Sequence, residues 1–110
     1  MIEDFLKYQA KTTPSPMGIE IANASGNYLY DVDGKSYLDF VAGVSACPLG
    51  HSHPKIIKAI QDQTNKYMHV MVYGEFAQAP AVKLCKKLVQ LLPENQEVVY
   101  LTNSGTEAIE

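Results

Sequence analysis

Two glycine-centred turns constrain the fold of this chain more than any other feature. The turns at Gly26 and Gly34 divide residues 19–40 into three short runs rich in Tyr, Leu, Val and Ile. Such runs, joined by tight turns, are typical of antiparallel strands that follow one another in order. The sequence therefore predicts a small three-stranded meander, although the apolar alternation breaks at Asn23.

Helical spacing of apolar residues predicts three helices around this meander. They cover residues 2–10, a segment opened by Pro54, and a segment from about Pro80 to Leu92. Proline suits the first turn of a helix because its missing N–H has no intrahelical partner there. We expect an apolar stripe on the second helix to be buried: Ile56, Ile57, Ile60 and Tyr67. Residues 41–54 have four glycine or proline breaks and predict a structured loop.

The last segment combines an apolar run with a helix start. Residues 97–103 predict a short strand buried on both faces, and Ser104-Gly105-Thr106 then begins a helix. A helix N-terminus offers free N–H groups and the positive end of the helix dipole, which together suit an anion. The alternative is a capping box in which Ser104 and Glu107 satisfy each other's backbone N–H groups. Local sequence alone favours the capping box.

Composition excludes several classes of function. The 110 residues suffice for one domain, and a net charge of −3 without a basic stripe argues against a nucleic-acid partner. No apolar run is long enough to span a membrane. Cys47 and Cys85 match no metal or redox spacing, which fits a reducing cytoplasm.

Four polar residues in the first half of the chain invite a functional interpretation. His51 and His53 are spaced to chelate a metal, but no third ligand is nearby in the sequence. The alternative is that both imidazoles bond to backbone and fix the loop that leads to Pro54. Asp31 and Asp39 are expected to anchor hairpin ends. We therefore predict no metal site.

Three ordered motifs resemble the class III aminotransferases, enzymes that use pyridoxal 5′-phosphate on the type I fold. "GNYLYDVDGKSYLDF" is followed by "VAGVSACPLGHSHP", and "LTNSGTEAIE" resembles the family's phosphate-binding segment at a fitting distance downstream. The resemblance covers nearly the whole chain. It implies an α/β fold: the N-terminal part of the type I fold, with a small antiparallel meander and helices that lead into a large-domain sheet.

The resemblance also implies roles for particular residues and a domain division. Ser104, Gly105 and Thr106 would hold the cofactor phosphate, and Val44 would line the substrate side of the pocket. Residues 1–53 would form the N-terminal helix and small-domain meander, and residues 54–110 would begin a truncated large domain. The implied substrates are an amino-acid or ω-amine donor and a 2-oxo acid acceptor, and the implied assembly is a cytoplasmic homodimer.

Aminotransfer requires a lysine that forms a Schiff base with the cofactor and an acid partner for its pyridine nitrogen. The family carries both beyond position 110, and the lysines present here are interpreted as solvated charges. We therefore expect an N-terminal portion of an enzyme, without catalytic residues and inactive alone. The alternatives are a pyridoxal-phosphate isomerase, aminomutase or decarboxylase on the same scaffold, or a short phosphate-binding or interaction module.

Overall fold

The computed structural model describes residues 1–71 and 73–110. They form two compact units, Met1–Met68 and His69–Glu110. The predicted boundary at residues 53 and 54 concerns the domains of a whole enzyme, so it stays a prediction.

The first unit contains the predicted meander. Helix α1 (Ile2–Tyr8) precedes strands β1 (Ile21–Ser25), β2 (Tyr28–Asp31) and β3 (Ser36–Leu38). The strands pair antiparallel in the order β1-β2-β3, which confirms the prediction. The register shifts between Ile21 and Asn23, where the apolar alternation of the sequence breaks.

Asp31 organises the turn between β2 and β3. Its Oδ1 accepts hydrogen bonds from the amides of Asp33 and Lys35 at 3.0 and 2.8 Å. Its Oδ2 accepts one from the Tyr37 hydroxyl at 2.8 Å. The hydrogen bond from Tyr37 holds the pKa of Asp31 below its usual value and raises the pKa of Tyr37. The expectation that Asp31 anchors a hairpin end is confirmed.

The predicted structured loop after β3 contains one short helical element. A helical turn, α2 (Ala42–Ser45), follows, and all four of its residues have positive φ. Helix α3 (Pro54–Thr64) then begins with Pro54 at its first position, as predicted, and His53 caps it through a hydrogen bond from the Lys55 amide to Nδ1 at 3.3 Å.

The predicted buried stripe of α3 is exposed in the structure. Ile56, Ile57 and Ile60 are 43%, 40% and 58% exposed, and Tyr67 is half-buried. In fact no residue in the described part of the chain is fully buried. The amphipathic pattern is present, but a helix face is buried only when another layer covers it, and no element of this unit covers α3.

The second unit contains α4 (Ala79–Val89) and α5 (Gly105–Ile109). Helix α4 ends before the predicted Leu92, and its apolar face is half-buried at Cys85, Leu88 and Val89. The Cys85 thiol lies 3.8 Å from the Val99 carbonyl oxygen, so this face lies beside the segment before α5.

The predicted buried strand at residues 97–103 is wrong for the described residues. The segment forms no strand, and Val98 and Tyr100 are 87% and 89% exposed. A strand is defined by its pairing with a neighbour, and none of the described residues pairs with this one. None of the described helices has the length and apolar character needed to cross a lipid bilayer.

Candidate functional site

The turn before α5 has a local hydrogen-bond network. Ser104 is the N-cap in extended conformation (φ −148°, ψ 160°), and its Oγ accepts a hydrogen bond from the Glu107 amide at 3.2 Å. Glu107 Oε2 in turn accepts one from the Asn103 amide at 2.9 Å. The capping interpretation is therefore correct for Ser104. The predicted bond of the Glu107 carboxylate differs: it accepts from the amide of Asn103, the residue before the cap, and not from the amide of Ser104.

The same turn leaves donors that fit an anion. Within the described residues, the amides of Gly105 and Thr106 donate to no other group, as expected for the first residues of a helix. A Cβ placed on Gly105 would meet nothing within 4 Å, so a ligand can approach this backbone directly. Ser104 and Thr106 are exposed and add hydroxyl groups. This donor set fits a phosphate ester, and capping by Glu107 does not consume it.

Val44, predicted on the substrate side, lies in the α2 turn of the first unit. Ala42, Gly43, Val44 and Ser45 have φ values of 49°, 62°, 56° and 65°. A left-handed helical conformation costs roughly 1–2 kcal/mol for each L-residue with a side chain, and a β-branched residue is a clear outlier there. Val44 is nevertheless 85% exposed. A strained conformation of this kind persists only where the surrounding structure imposes it.

Asp39 supplies part of that constraint. Its Oδ1 accepts hydrogen bonds from the amides of Val41 and Ala42 at 2.9 and 3.0 Å. Its Oδ2 lies 2.6 Å from His51 Nε2, which donates to it. The hydrogen bond from His51, followed by that from the Ala42 amide, holds the pKa of Asp39 below its usual value against the opposing effect of desolvation.

The two histidines have separate roles. The His51 imidazole bonds to a carboxylate, so the expectation that it bonds to backbone is wrong, whereas His53 does bond to backbone as the cap of α3. In the described part of the chain, no three His, Cys, Asp or Glu residues form a group that could hold a metal ion.

Sequence reasoning missed the pairing of Asp39 with His51. The sequence placed both residues in ordered segments, but nothing in the spacing of two residues twelve positions apart indicates contact. The available signals were indirect: Asp39 directly follows strand β3, and Gly50 directly precedes His51.

The predicted site residues fall in different units. Val44 belongs to the first, and Ser104, Gly105 and Thr106 belong to the second. All nine lysines are exposed, and Lys58 pairs with Asp62 at 2.9 Å. They are Lys7, Lys11, Lys35, Lys55, Lys58, Lys66, Lys83, Lys86 and Lys87.

Known proteins resemble the chain in sequence and in fold. A family model described as Aminotransferase class-III matches residues 8–110. An acetylornithine aminotransferase of Bifidobacterium longum is 44% identical over 90 residues, which are 80% of this chain and 20% of that protein. An isoleucine 2-epimerase of Lentilactobacillus buchneri is 36% identical over 110 residues, or 98% of this chain and 24% of the epimerase.

A solved structure supports the same assignment. The omega transaminase of Pseudomonas jessenii in complex with PMP matches with a TM-score of 0.87 and 29% identity, covering 99% of this chain and 25% of that one. The fold is thus the N-terminal part of the type I pyridoxal-phosphate-dependent fold.

The chain belongs to the class III aminotransferase family, whose cofactor is pyridoxal 5′-phosphate. It spans about a fifth to a quarter of the length of the curated relatives it matches.

Proposed function

We propose that these residues form part of a pyridoxal-phosphate-dependent enzyme that moves an amino group from an amino acid or ω-amine to a 2-oxo acid. Membership of the class III family supports aminotransfer in general. The observation that carries the proposal is the α5 N-terminus, where the Gly105 and Thr106 amides have no partner among the described residues and Gly105 leaves the backbone accessible.

In this proposal Ser104, Gly105 and Thr106 hold the cofactor phosphate. The two amides and the positive end of α5 neutralise its charge, and the hydroxyl groups supply further donors. When bound, the cofactor serves as an electron sink for the substrate carbon. Val44, exposed on the α2 turn, contacts the substrate.

The described lysines support a second part of the proposal. Every one is exposed, whereas a nucleophilic lysine needs a desolvated or cationic setting that lowers its pKa. The 110 residues alone are therefore proposed to be inactive, with the covalent lysine supplied by a longer protein. The cytoplasmic location and the homodimer are also proposals, carried by the family resemblance.

The epimerase match favours one alternative. Because the Lentilactobacillus buchneri epimerase aligns with 98% of this chain at 36% identity, a similar segment is compatible with an isomerase, a class of reaction that needs no 2-oxo acid acceptor. An aminomutase or decarboxylase on this scaffold would share that property.

The test uses the complete reading frame that contains this chain, expressed with pyridoxal phosphate. We expect glutamate to form from an amino donor and 2-oxoglutarate, and no glutamate from the 110-residue chain alone. Racemisation or rearrangement of an amino acid without 2-oxoglutarate would instead support the isomerase. A protein that neither binds the cofactor nor acts on amines would support the phosphate-binding module.

The phosphate role is tested by Gly105→Val, with Ala108→Val as the matched control on the same helix. By helix propensity only Ala108→Val is unfavourable, because valine is a poorer helix former than alanine but a better one than glycine. Only Gly105→Val places a side chain over the free amides, so weaker cofactor binding by that variant is not explained by loss of the helix. We expect Gly105→Val to weaken cofactor binding roughly ten-fold or more and Ala108→Val to change it less than about two-fold. Equal effects of the two variants on cofactor binding would show that the phosphate does not bind at this turn.

A further inference from the structure

The loop between Asp39 and His51 is fastened at both ends to the turn that joins β1 and β2. At one end the Asp39 amide donates to the Asn27 carbonyl at 2.8 Å. At the other end His51 and Gly26 exchange two backbone hydrogen bonds, at 2.8 and 3.0 Å. The two loop ends therefore meet over one short piece of backbone.

A close contact fixes the second end further. Gly50 has φ of 80°, and a Cβ there would lie 3.0 Å from the Gly26 carbonyl oxygen. The Ser52 hydroxyl donates to the Ala24 carbonyl at 2.7 Å. The backbone of this end is thus held without help from the His51 imidazole.

The imidazole has a different contact. It reaches across the loop to the Asp39 carboxylate, whose other oxygen holds the Val41 and Ala42 amides at the start of α2. Both side chains are largely shielded from water, with exposures of 7% for Asp39 and 17% for His51. The Asp39 carboxylate thereby connects His51, at the second end of the loop, to the strained α2 turn.

We propose that the Asp39–His51 pair is a positioning device that imposes the left-handed conformation of α2 and so sets where Val44 is presented to the substrate. The substrate part of this inference rests on the proposed function, whereas the conformational part does not. Neither residue is assigned contact with the cofactor or with reacting atoms.

The geometry explains why a pair is needed. Within the turn itself, the Ser45 amide donates to the Val41 carbonyl at 3.1 Å and the Cys47 amide to the Ala42 carbonyl at 2.9 Å. These two bonds must offset the strain of three non-glycine residues with positive φ. The carboxylate adds two charge-assisted bonds at the turn, and the histidine orients the carboxylate that makes them.

The conformational part is tested by NMR on the isotope-labelled chain. The variant is His51→Ala, the conservative variant is His51→Gln, which retains an N–H donor, and the control is His53→Ala, which removes a histidine that only caps α3. A residue with positive φ gives a strong intraresidue NOE between its amide and α protons, so Val44 reports the turn directly.

We expect His51→Ala to weaken the Val44 signature and to speed exchange of the Val41 and Ala42 amides roughly ten-fold, as for loss of one charge-assisted bond. His51→Gln should retain most of the wild-type behaviour, and His53→Ala should leave the loop unchanged. Protected strand amides show that the meander remains folded. An unchanged turn in a folded His51→Ala chain would overturn the proposal.

If His51→Ala does not fold, Asp39→Asn provides the second measurement. Asparagine keeps an oxygen for the Val41 and Ala42 amides and changes only the charge and the contact with His51. We expect partial loss of the Val44 signature, and an unchanged turn would again overturn the proposal.

The substrate part is tested by kinetics of the complete enzyme. We expect His51→Ala to raise KM for the amino donor roughly ten-fold with kcat within about two-fold, and His51→Gln to restore KM, because misplacing a binding surface removes uniform binding. A disturbed turn with unchanged KM would refute the substrate role of Val44 alone. An enzyme without aminotransferase activity would refute the proposed function, while the NMR result would still decide the role of the pair.

Discussion

The loop from Asp39 to His51 and the turn from Asn103 to Thr106 both carry predicted site residues, but they are stabilised in different ways. The loop is held by contacts from distant positions: His51 pairs with Gly26 and with Asp39. The turn is held by its immediate neighbours, since Glu107 bonds to Asn103 and Ser104. A left-handed turn must be imposed from outside, whereas the start of a helix needs only a cap.

The segments that lead into the loop and into the turn also differ. Asp39 follows β3, a strand paired within its own sheet. Asn103 follows residues 97–102, which form no strand and pair with none of the described residues. Unit Met1–Met68 thus contains its own sheet, whereas the described residues of unit His69–Glu110 form none.

Amide hydrogen exchange should give the largest difference between the two regions. The amides of Gly26, Asp39 and His51 have backbone partners, while those of Val98 and Val99 have none among the described residues. We expect the first group to exchange roughly ten- to a hundred-fold more slowly, measured by NMR at constant pH. Equal protection would mean that the amides of residues 97–103 are hydrogen-bonded in solution and that the two regions do not differ in local stability.

Gly50→Ala should disrupt the distant contact most directly. The new Cβ would lie 3.0 Å from the Gly26 carbonyl oxygen, at a residue whose φ is 80°. We expect a loss of about 2–3 kcal/mol in the stability of the paired loop, measured from exchange of the His51 amide.

Gly34→Ala is the matched control for this substitution. Gly34 has φ of 83°, but a Cβ there would meet nothing within 4 Å. It should cost only about 1 kcal/mol, the conformational term alone. If the two alanine variants behave alike, the close approach of Gly50 to Gly26 is not what holds the loop.

Much of the fold was predictable because its signals are local. The turns at Gly26 and Gly34, the helix start at Pro54 and the cap at Ser104 each depend on a few adjacent residues, and each is present. The prediction of a strand at residues 97–103 failed because a strand depends on pairing with a neighbouring strand, which local sequence does not reveal.

The site was less predictable than the fold. The free amides of Gly105 and Thr106 follow from the helix start itself. The left-handed turn at Val44 does not, because valine disfavours positive φ and the groups that impose it lie at Asp39 and His51. Such strain is visible only once distant residues have been placed in space.

Ser104→Ala should have a smaller effect, confined to the second region. It removes the oxygen that accepts the Glu107 amide, and loss of an N-cap costs about 1 kcal/mol. We expect lower helicity at Thr106–Ile109 by Cα chemical shifts. Unchanged shifts would show that the Ser104 hydroxyl does not cap α5 in solution.

The smallest expected effect concerns acid. The pKa values of Asp31 and Asp39 are lowered from 3.8, each chiefly by a side-chain hydrogen bond. Carboxylates of lowered pKa stabilise the fold above their unfolded pKa, and this contribution is lost as the pH falls through the folded pKa. We therefore expect the β2–β3 turn and the Asp39 loop to loosen only below about pH 4.

Carboxyl-carbon NMR titration measures this effect directly. Tyr37→Phe should raise the midpoint of Asp31 and leave that of Asp39, because only Asp31 contacts the Tyr37 hydroxyl. Midpoints at or above 3.8 in the unmodified chain would show that these hydrogen bonds do not persist in solution.

Because Val44 has a positive φ, substitutions at this position can change the backbone conformation of the turn as well as the exposed side chain. Exchanging valine for isoleucine or threonine alters the shape and polarity of the exposed surface while keeping the β-branched backbone preference. Glycine or asparagine would also relax the turn, because both tolerate this region of backbone space. If Val44 contacts the substrate as proposed, a selectivity change seen with those two residues would combine an altered contact surface with an altered turn conformation, and only the β-branched series would isolate the contact surface.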